Sequence, residues 1–262
     1  MIARGVVRIV AWLVLAYLAL PLVIIVGASV TQSQFLAFPP KGITLHWYGV
    51  AMQDASYMSA FATSTVLAAV ATVVSVVMAV SASIALTRFE VPGRGVIEAV
   101  LMSPLVLPSL VLGAAILQYG SAIGMVRSFS ALLVGHVVII FPLVMRSVLP
   151  QLVGGLRSLE EASFDLGATP IETFFLVVLP QIKGGVISGA VLAFITSWIN
   201  VEMSIFNTTP ALTTMPVKLF NYVQYTIDPT IAAVSAISIL GAAAALVVLD
   251  LLFGLDVLPK SN

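Results

Sequence analysis

The sequence predicts an all-α fold, a bundle of about six helices that cross a lipid bilayer. Hydrophobic residues make up 60% of the chain and charged residues only 8%, whereas a soluble domain usually carries about 25% charged residues. The mean hydropathy is +1.15. Long apolar stretches alternate with short polar segments along the whole length, so we expect a single transmembrane domain over residues 1–262.

The spans are predicted where an apolar stretch reaches the length of about 20 residues that a bilayer core requires. The second stretch is rich in small residues, which favour close helix packing in lipid. The third contains Pro104 and Pro108, so we expect it to be kinked. The predicted spans cover residues 9–30, 60–86, 97–119, 130–149, 184–206 and 230–252.

The positions of lysine and arginine predict the orientation, because cytoplasmic loops carry the excess of positive charge. With the N-terminus inside, eight of the 11 basic residues fall on the cytoplasmic side and three on the outer side. The inner ones are Arg4, Arg8, Arg88, Arg94, Arg146, Arg157, Lys183 and Lys260. The outer ones are Lys41, Arg127 and Lys218. Both termini and the loop between the fourth and fifth spans are therefore expected in the cytoplasm.

That loop carries signals for two short helices with a tight bend between them. Ser158 and Glu161 have the S-x-x-E spacing of a capping box. Thr169-Pro170-Ile171-Glu172 repeats the spacing, with proline at the first helical position. Gly167 suits the left-handed backbone position that ends a helix. On these local signals alone, a plain helical hairpin in which Glu161 is only a cap is an equally good interpretation.

The spacing Glu161-Ala162-Ser163, then Gly167, then Leu179-Pro180 resembles the EAA loop of membrane subunits in bacterial ABC importers. In that family the loop contains the coupling helix, which docks on an ATP-hydrolysing partner. Ser163 replaces the second alanine of the pattern, and Val177 stands where isoleucine is usual. The resemblance implies a docking loop over residues 150–182. The docking residues that it implies are Glu160, Glu161, Ala162, Ser163, Asp165, Leu166, Gly167, Ala168, Pro170 and Pro180.

Further segments are similar to one branch of this family, the spermidine and putrescine importers. They are Phe38-Pro39-Pro40-Lys41-Gly42 with Trp47-Tyr48, Leu86-Thr87-Arg88-Phe89, Thr214-Met215-Pro216, and Asp228-Pro229-Thr230-Ile231-Ala232-Ala233. The resemblance implies a type I ABC importer permease fold in the bacterial inner membrane. It also implies a small hydrophilic solute, a polyamine or a related amine or amino compound. The implied partners are a second homologous permease, two copies of an ATP-binding subunit, and a periplasmic or lipid-anchored solute-binding protein.

The fifth predicted span holds the candidates for a translocation path. In the polyamine branch this stretch carries paired acidic residues, but here Ile199-Asn200 takes their place and Glu202 is the remaining carboxylate. On a continuous helix Trp198 and Glu202 would share a face with Asn200 nearby, and an aromatic ring with a carboxylate can hold an ammonium group. Glu202 is equally an interfacial carboxylate. His136, in the fourth span, is interpreted as a packing residue bonded to a neighbouring helix.

Catalysis within this chain is not expected. The sequence has no G-x-x-x-x-G-K-[ST] loop to hold ATP phosphates and no H-E-x-x-H zinc motif. It has no cysteine and 2 histidines, His46 and His136, in different regions. No cofactor or metal site is therefore predicted in this chain, and ATP and Mg²⁺ are expected on the partner ATPase subunits. Membrane lipid is an expected partner and nucleic acid is not.

Two other interpretations stay open on the sequence. The same class of importer could move a non-cationic small solute. The second open interpretation is a stand-alone secondary transporter or channel. It would need a coupling-ion site within the membrane, where acidic and basic residues are nearly absent from this sequence. Co-purification of an ATPase subunit separates the importer from the stand-alone transporter.

Overall fold

The computed structural model shows a helical chain with one isolated antiparallel bridge, Thr31 to Ile43, over the residues that it describes, 2–153, 156–226 and 228–253. A 3₁₀ turn, Ser103–Leu105, and a π-helical turn, Phe174–Val178, interrupt the α-helices. The predicted all-α class is confirmed. The α-helices are α1 Ile2–Ser29, α2 His46–Gln53, α3 Ala55–Arg88, α4 Arg94–Met102, α5 Ser109–Ala122, α6 Phe129–Val153, α7 Leu156–Asp165, α8 Pro170–Thr173, α9 Leu179–Trp198, α10 Met215–Tyr225 and α11 Pro229–Phe253.

Within the described residues, 4 helical stretches are long and apolar enough to cross a membrane, or 5 if one bent pair is a single span. The last predicted span falls on α11, whose described apolar stretch is Pro229–Ala242. Helix α3, with 34 residues, is about 51 Å long at 1.5 Å per residue. Its ends therefore project beyond a hydrocarbon core of about 30 Å. The 4 stretches are Gly5–Ser29, Ala55–Arg88, Phe129–Val153 and Pro170–Trp198.

Two spans differ from the prediction. The third is more than kinked: Arg94–Leu105 and Ser109–Ala122 meet at 101°, with Pro104 and Pro108 at the break, where neither can donate a backbone hydrogen bond. The fifth predicted span, residues 184–206, corresponds to the helical stretch Pro170–Trp198, which begins 14 residues earlier and ends at Trp198. The prediction that Trp198 and Glu202 share a helix face is therefore wrong, because the helix ends between them.

The described residues form two compact units. One is drawn from Met1–Ser59 and Lys218–Val248, the other from Ala60–Val217 and Leu249–Asn262. In the first unit, the indole N–H of Trp47 donates to the Thr31 carbonyl at 2.9 Å. This hydrogen bond holds the start of α2 close to Thr31, which follows the end of α1. That the chain acts as one permease domain stays a prediction.

The core of the second unit is centred on α6. The contact of α6 with α9 is the most extensive contact between two helices in the described part of the chain. Glycines on α9 allow this approach. A Cβ added at Gly185 would lie 2.5 Å from the carbonyl oxygen of Ser147, and one at Gly189 would lie 3.1 Å from the Cα of Val144. Small residues at a helix contact are the usual way for helices to pack closely in lipid.

We expect Gly185→Ala to lower the thermal stability of the detergent-purified permease, at a cost of roughly 1–3 kcal/mol, because the new methyl group would force α6 and α9 apart. The neighbouring Gly184→Ala is the matched control, since its Cβ would meet only the Nε2 of Gln151 at 4.0 Å. Unfolding midpoints measured side by side test this. Equal midpoints for the two variants would contradict the close packing of α6 on α9.

Candidate functional site

The bend at Gly167 has the hydrogen bonds of a Schellman motif, the glycine-containing turn that ends many helices. Helix α7 ends at Asp165, and Gly167 has a φ of 90°. The N–H of Gly167 donates to the Phe164 carbonyl at 2.9 Å, and the N–H of Ala168 donates to the Ser163 carbonyl at 3.1 Å. The predicted left-handed helix end at Gly167 is confirmed, and the bend is fixed by backbone hydrogen bonds.

The capping box predicted at Thr169 is also confirmed. Thr169 Oγ1 accepts a hydrogen bond from the N–H of Glu172 at 3.3 Å, and Glu172 Oε2 accepts one from the N–H of Thr169 at 2.8 Å. Pro170 occupies the first helical position, where its missing N–H leaves no bond unmade. Ser163 Oγ and Thr173 Oγ1, 3.0 Å apart, join the two sides of the bend.

The capping box predicted at Ser158 is wrong, because α7 begins at Leu156 and Ser158 lies inside it. Glu161 instead accepts a hydrogen bond from Arg157 Nε at 3.1 Å, one helical turn earlier. The two side chains are 76% and 63% exposed. A pair of this kind contributes only about 0.3–0.5 kcal/mol. Glu161 therefore lies in solvent, where a partner can reach its carboxylate.

The helix after the bend is not short, as the sequence suggested, but continues from Pro170 to Trp198. The π-helical turn Phe174–Val178 ends two residues before Pro180, at the start of α9. Proline has no N–H, and its ring crowds the carbonyl four residues earlier, so a wider turn at this point accommodates Pro180. The loop is thus joined without a break to a helix long enough to span a bilayer.

Most of the residues that the resemblance assigns to docking lie at the surface. Leu166 at the bend is 89% exposed, and Ile171 is 71% exposed. Exposed apolar surface beside the bend is available for contact with a partner. Exposed docking candidates are Glu161, Ala162, Asp165, Leu166, Gly167, Pro170 and Pro180, and half-buried ones are Ser163 and Ala168.

Glu160 is the exception, because it is buried and faces the body of the chain. Its carboxylate forms an ion pair with Arg88 at the end of α3. The sequence pattern does not indicate this pair, since the two residues are 72 positions apart. Glu160 and Glu161, adjacent in sequence, therefore point in different directions from α7, one towards the core and one towards solvent.

The candidates for the translocation path do not form one cluster in the described structure. Trp198 ends α9, where its indole N–H donates to Thr65 Oγ1 at 3.3 Å. Asn200 Oδ1 accepts from the N–H of Met203 at 2.8 Å and so begins the turn that follows the helix. Glu202 is exposed, and the described residues offer it no ion-pair partner. A path role for these residues stays a prediction.

The turn after α9 is held by His136, which is 1% exposed. Its Nδ1 lies 2.7 Å from Ser197 Oγ and its Nε2 lies 2.9 Å from Ser204 Oγ. The interpretation of His136 as a packing residue bonded to a neighbouring helix is confirmed. A Cβ at Gly113 would lie 2.9 Å from the carbonyl oxygen of Glu202, so α5 also closes tightly on this turn.

The helical spans, together with the loop that has the spacing of the EAA pattern, are those of one class of protein, the membrane permease of an ABC importer. The fold resembles that of a chain in the crystal structure of a bacterial ABC transporter involved in the import of the acidic polysaccharide alginate. The TM-score is 0.73 and the identity 18%, over 96% of this chain and 96% of the other. The predicted permease fold is confirmed.

Two relatives define the family more closely. The putrescine transport system permease protein PotI of Escherichia coli K12 is 31% identical over 233 residues, 86% of this chain and 82% of PotI. The spermidine/putrescine transport system permease protein PotC of Haemophilus influenzae is 27% identical over 239 residues, 91% of this chain and 92% of PotC. No family model matches the chain. The chain belongs to the family of spermidine and putrescine ABC transporter permeases, as the sequence resemblance implied.

Proposed function

We propose that this chain forms half of the translocation path of an ATP-driven, binding-protein-dependent importer and couples to a partner ATPase through residues Glu161–Gly167. The loop geometry is the observation that carries the proposal. A Schellman turn and a capping box fix the bend, and Glu161 and Leu166 are exposed on it. A rigid, partly apolar projection of this kind suits insertion into a cleft of a partner protein.

The partners follow from this role and from membership of the family. They are a second homologous permease, two copies of an ATP-binding subunit and an external solute-binding protein. ATP and Mg²⁺ belong to the ATP-binding subunits, and this chain is non-catalytic. The bacterial inner membrane is the proposed location, with the docking loop in the cytoplasm. Two of the basic residues used to orient the chain, Arg4 and Lys260, lie outside the described side chains.

The loop is suited to transmit movement, because over residues 156–198 the bonded bend joins α7 directly to the long helix Pro170–Trp198. Closure of the ATPase subunits would displace α7, and the bonded bend would pass the displacement into Pro170–Trp198. Because α9 is packed on α6 through Gly185 and Gly189, the two helices would move together. Alternating exposure of the path to the two sides of the membrane follows from such rigid-body motion.

The test of the proposed function is co-purification with tagged permease, followed by transport in proteoliposomes. An ATP-binding subunit co-expressed with the permease should be retained on the affinity column, and uptake should require ATP. A permease that purifies alone and transports without ATP would contradict the proposal and support a stand-alone transporter.

For the solute, we propose a compound with an ammonium group, which is the class named for PotI and PotC. Glu202 then supplies the carboxylate that favours a cation at the end of α9. With such a solute, Glu202→Gln should lower uptake about fivefold, because a charge-assisted hydrogen bond is about twice as strong as a neutral one. The loss should be incomplete, since the amide oxygen of glutamine can still accept a hydrogen bond from the ammonium group.

Uptake of labelled solute, normalised to assembled complex, measures this effect. Glu90→Gln is the matched control, since Glu90 is another exposed carboxylate and lies in the first predicted inner loop. With an anionic solute, Glu202→Gln should be neutral or mildly favourable. An unchanged rate with a proven cationic solute would show that Glu202 is only an interfacial carboxylate.

A further inference from the structure

The contact between Arg88 and Glu160 is the feature of the loop that docking does not use. Arg88 Nε donates to both carboxylate oxygens of Glu160, at 3.0 Å and 2.8 Å, and Arg88 Nη2 lies 2.5 Å from Oε1. The side chains are 16% and 11% exposed. This planar, multiply bonded geometry fixes orientation as well as distance, which a lysine could not do.

The same guanidinium binds a third element. Arg88 Nη1 donates to the carbonyl oxygen of Leu152 at 3.1 Å, in the last turn of α6. The final carbonyls of a helix have no partner within it, and a cation beside them is favourable. The apolar residues near these partners in the sequence are buried in one core. They are Leu86, Leu152 and Leu156. The end of α3, the end of α6 and α7 therefore meet at Arg88.

We propose that Arg88 and Glu160 are positioning residues that hold the end of α3 and the docking helix α7 together as one rigid body throughout the transport cycle. The proposal rests on the function proposed for the loop. Helix α7 then delivers its displacement by two routes, to Pro170–Trp198 through the bend and to α3 through Arg88. The loop would thus control two spans, although only one of them is continuous with it.

The contact stays closed because opening it leaves a buried charge without its partner, which is far more costly than separating an exposed pair. The pair of Arg157 and Glu161, also on α7, shows the contrast, since both of its side chains are mostly in water. That pair can open when a partner docks at little cost. The exposed pair therefore suits exchange of partners, and the largely buried pair suits permanent attachment.

The first test is the number of solute molecules imported per ATP hydrolysed in reconstituted vesicles. Arg88→Gln and Glu160→Gln should still purify with the ATP-binding subunit, because Glu161–Gly167 is unchanged. Each should lower transport per ATP at least about fivefold, the lower end of a usual coupling between sites. Arg94→Gln, at an exposed arginine outside the docking loop, is the matched control and should leave the ratio unchanged. An unchanged ratio in Arg88→Gln and Glu160→Gln would overturn the proposal.

The second test uses the absence of cysteine from the chain. While its thiols are free, the double variant Arg88→Cys/Glu160→Cys should hydrolyse ATP with little transport. Joining the two thiols with a short cross-linker should restore the amount of solute transported per ATP. Normal coupling with free thiols, or a block on cross-linking, would overturn the proposal. If the single variants fail to accumulate, the cross-linked double variant decides alone, and its failure to transport counts against the proposal. Failure of the wild-type permease to retain the ATP-binding subunit would instead refute the docking function.

Discussion

Gly167→Asp is expected to abolish ATP-driven transport while the permease still inserts and accumulates in the membrane. A Cβ at Gly167 would meet nothing within 4 Å, so the substitution causes no collision. The backbone, at a φ of 90°, makes a side chain cost roughly 1–2 kcal/mol. That strain is local and spares the spans. The new carboxylate, however, lies at the tip of the docking loop between the exposed Leu166 and the capped start of α8.

Two matched variants separate the charge from the strained backbone. Gly167→Asn has nearly the shape of Gly167→Asp without its charge, and asparagine tolerates this backbone region, so it should retain part of the activity. Gly124→Asp places the same side chain at a φ of 77°, again with nothing within 4 Å, in a loop predicted to lie outside. It should transport normally. Full transport by Gly167→Asp at wild-type abundance would contradict the docking function.

Glu161→Lys is expected to release the ATP-binding subunit or to let it hydrolyse ATP without transport. The substitution reverses a charge on the exposed face of α7 and sets a lysine beside Arg157, one turn away. Within the helix that like-charge pair costs only a few tenths of a kcal/mol. A large loss of solute-stimulated ATP hydrolysis in proteoliposomes would therefore come from the docking surface and not from unfolding of α7.

The exchanged pair Arg157→Glu/Glu161→Lys is the control for that interpretation. It restores the ion pair within α7 but leaves the reversed charge at position 161. If Glu161 acts on the partner, the exchanged pair should be as defective as Glu161→Lys. Recovery of coupled transport in the exchanged pair would show that Glu161 serves only its own helix.

Local sequence signals located the bend but not both helix starts beside it. Gly167 and Thr169 were predicted correctly because a left-handed glycine and a capping box act within a few residues of the chain. Ser158 has the same S-x-x-E spacing as Thr169, yet α7 begins before it. The spacing shows that a box is sterically possible. It does not show at which residue the helix begins.

The end of α9 was not predicted, because the apolar residues Ile199, Val201 and Met203 continue past Trp198, and Asn200 and Glu202 were interpreted as polar residues within the span. The turn that follows the helix is held by one local contact and by contacts with distant residues. Asn200 caps the following turn, His136 bonds Ser204 within it, and Gly113 admits its backbone. The ion pair of Arg88 with Glu160 could not be predicted either, because its two residues are 72 positions apart in the sequence. Apolar patterns determine where helices occur, whereas contacts between distant residues determine where they end and which face is buried.

The central claim is that the loop contacts an ATP-binding subunit, and site-specific cross-linking of the assembled complex tests it most directly. Because the chain has no cysteine, Leu166→Cys provides a single thiol at a position that is 89% exposed in the isolated chain. Tyr225→Cys, at a position that is 87% exposed and predicted to lie outside, is the matched control. With a short thiol-to-amine cross-linker, Leu166→Cys should join the ATP-binding subunit and Tyr225→Cys should not. A complex in which Leu166→Cys forms no such product, or forms no more of it than Tyr225→Cys, would contradict the account.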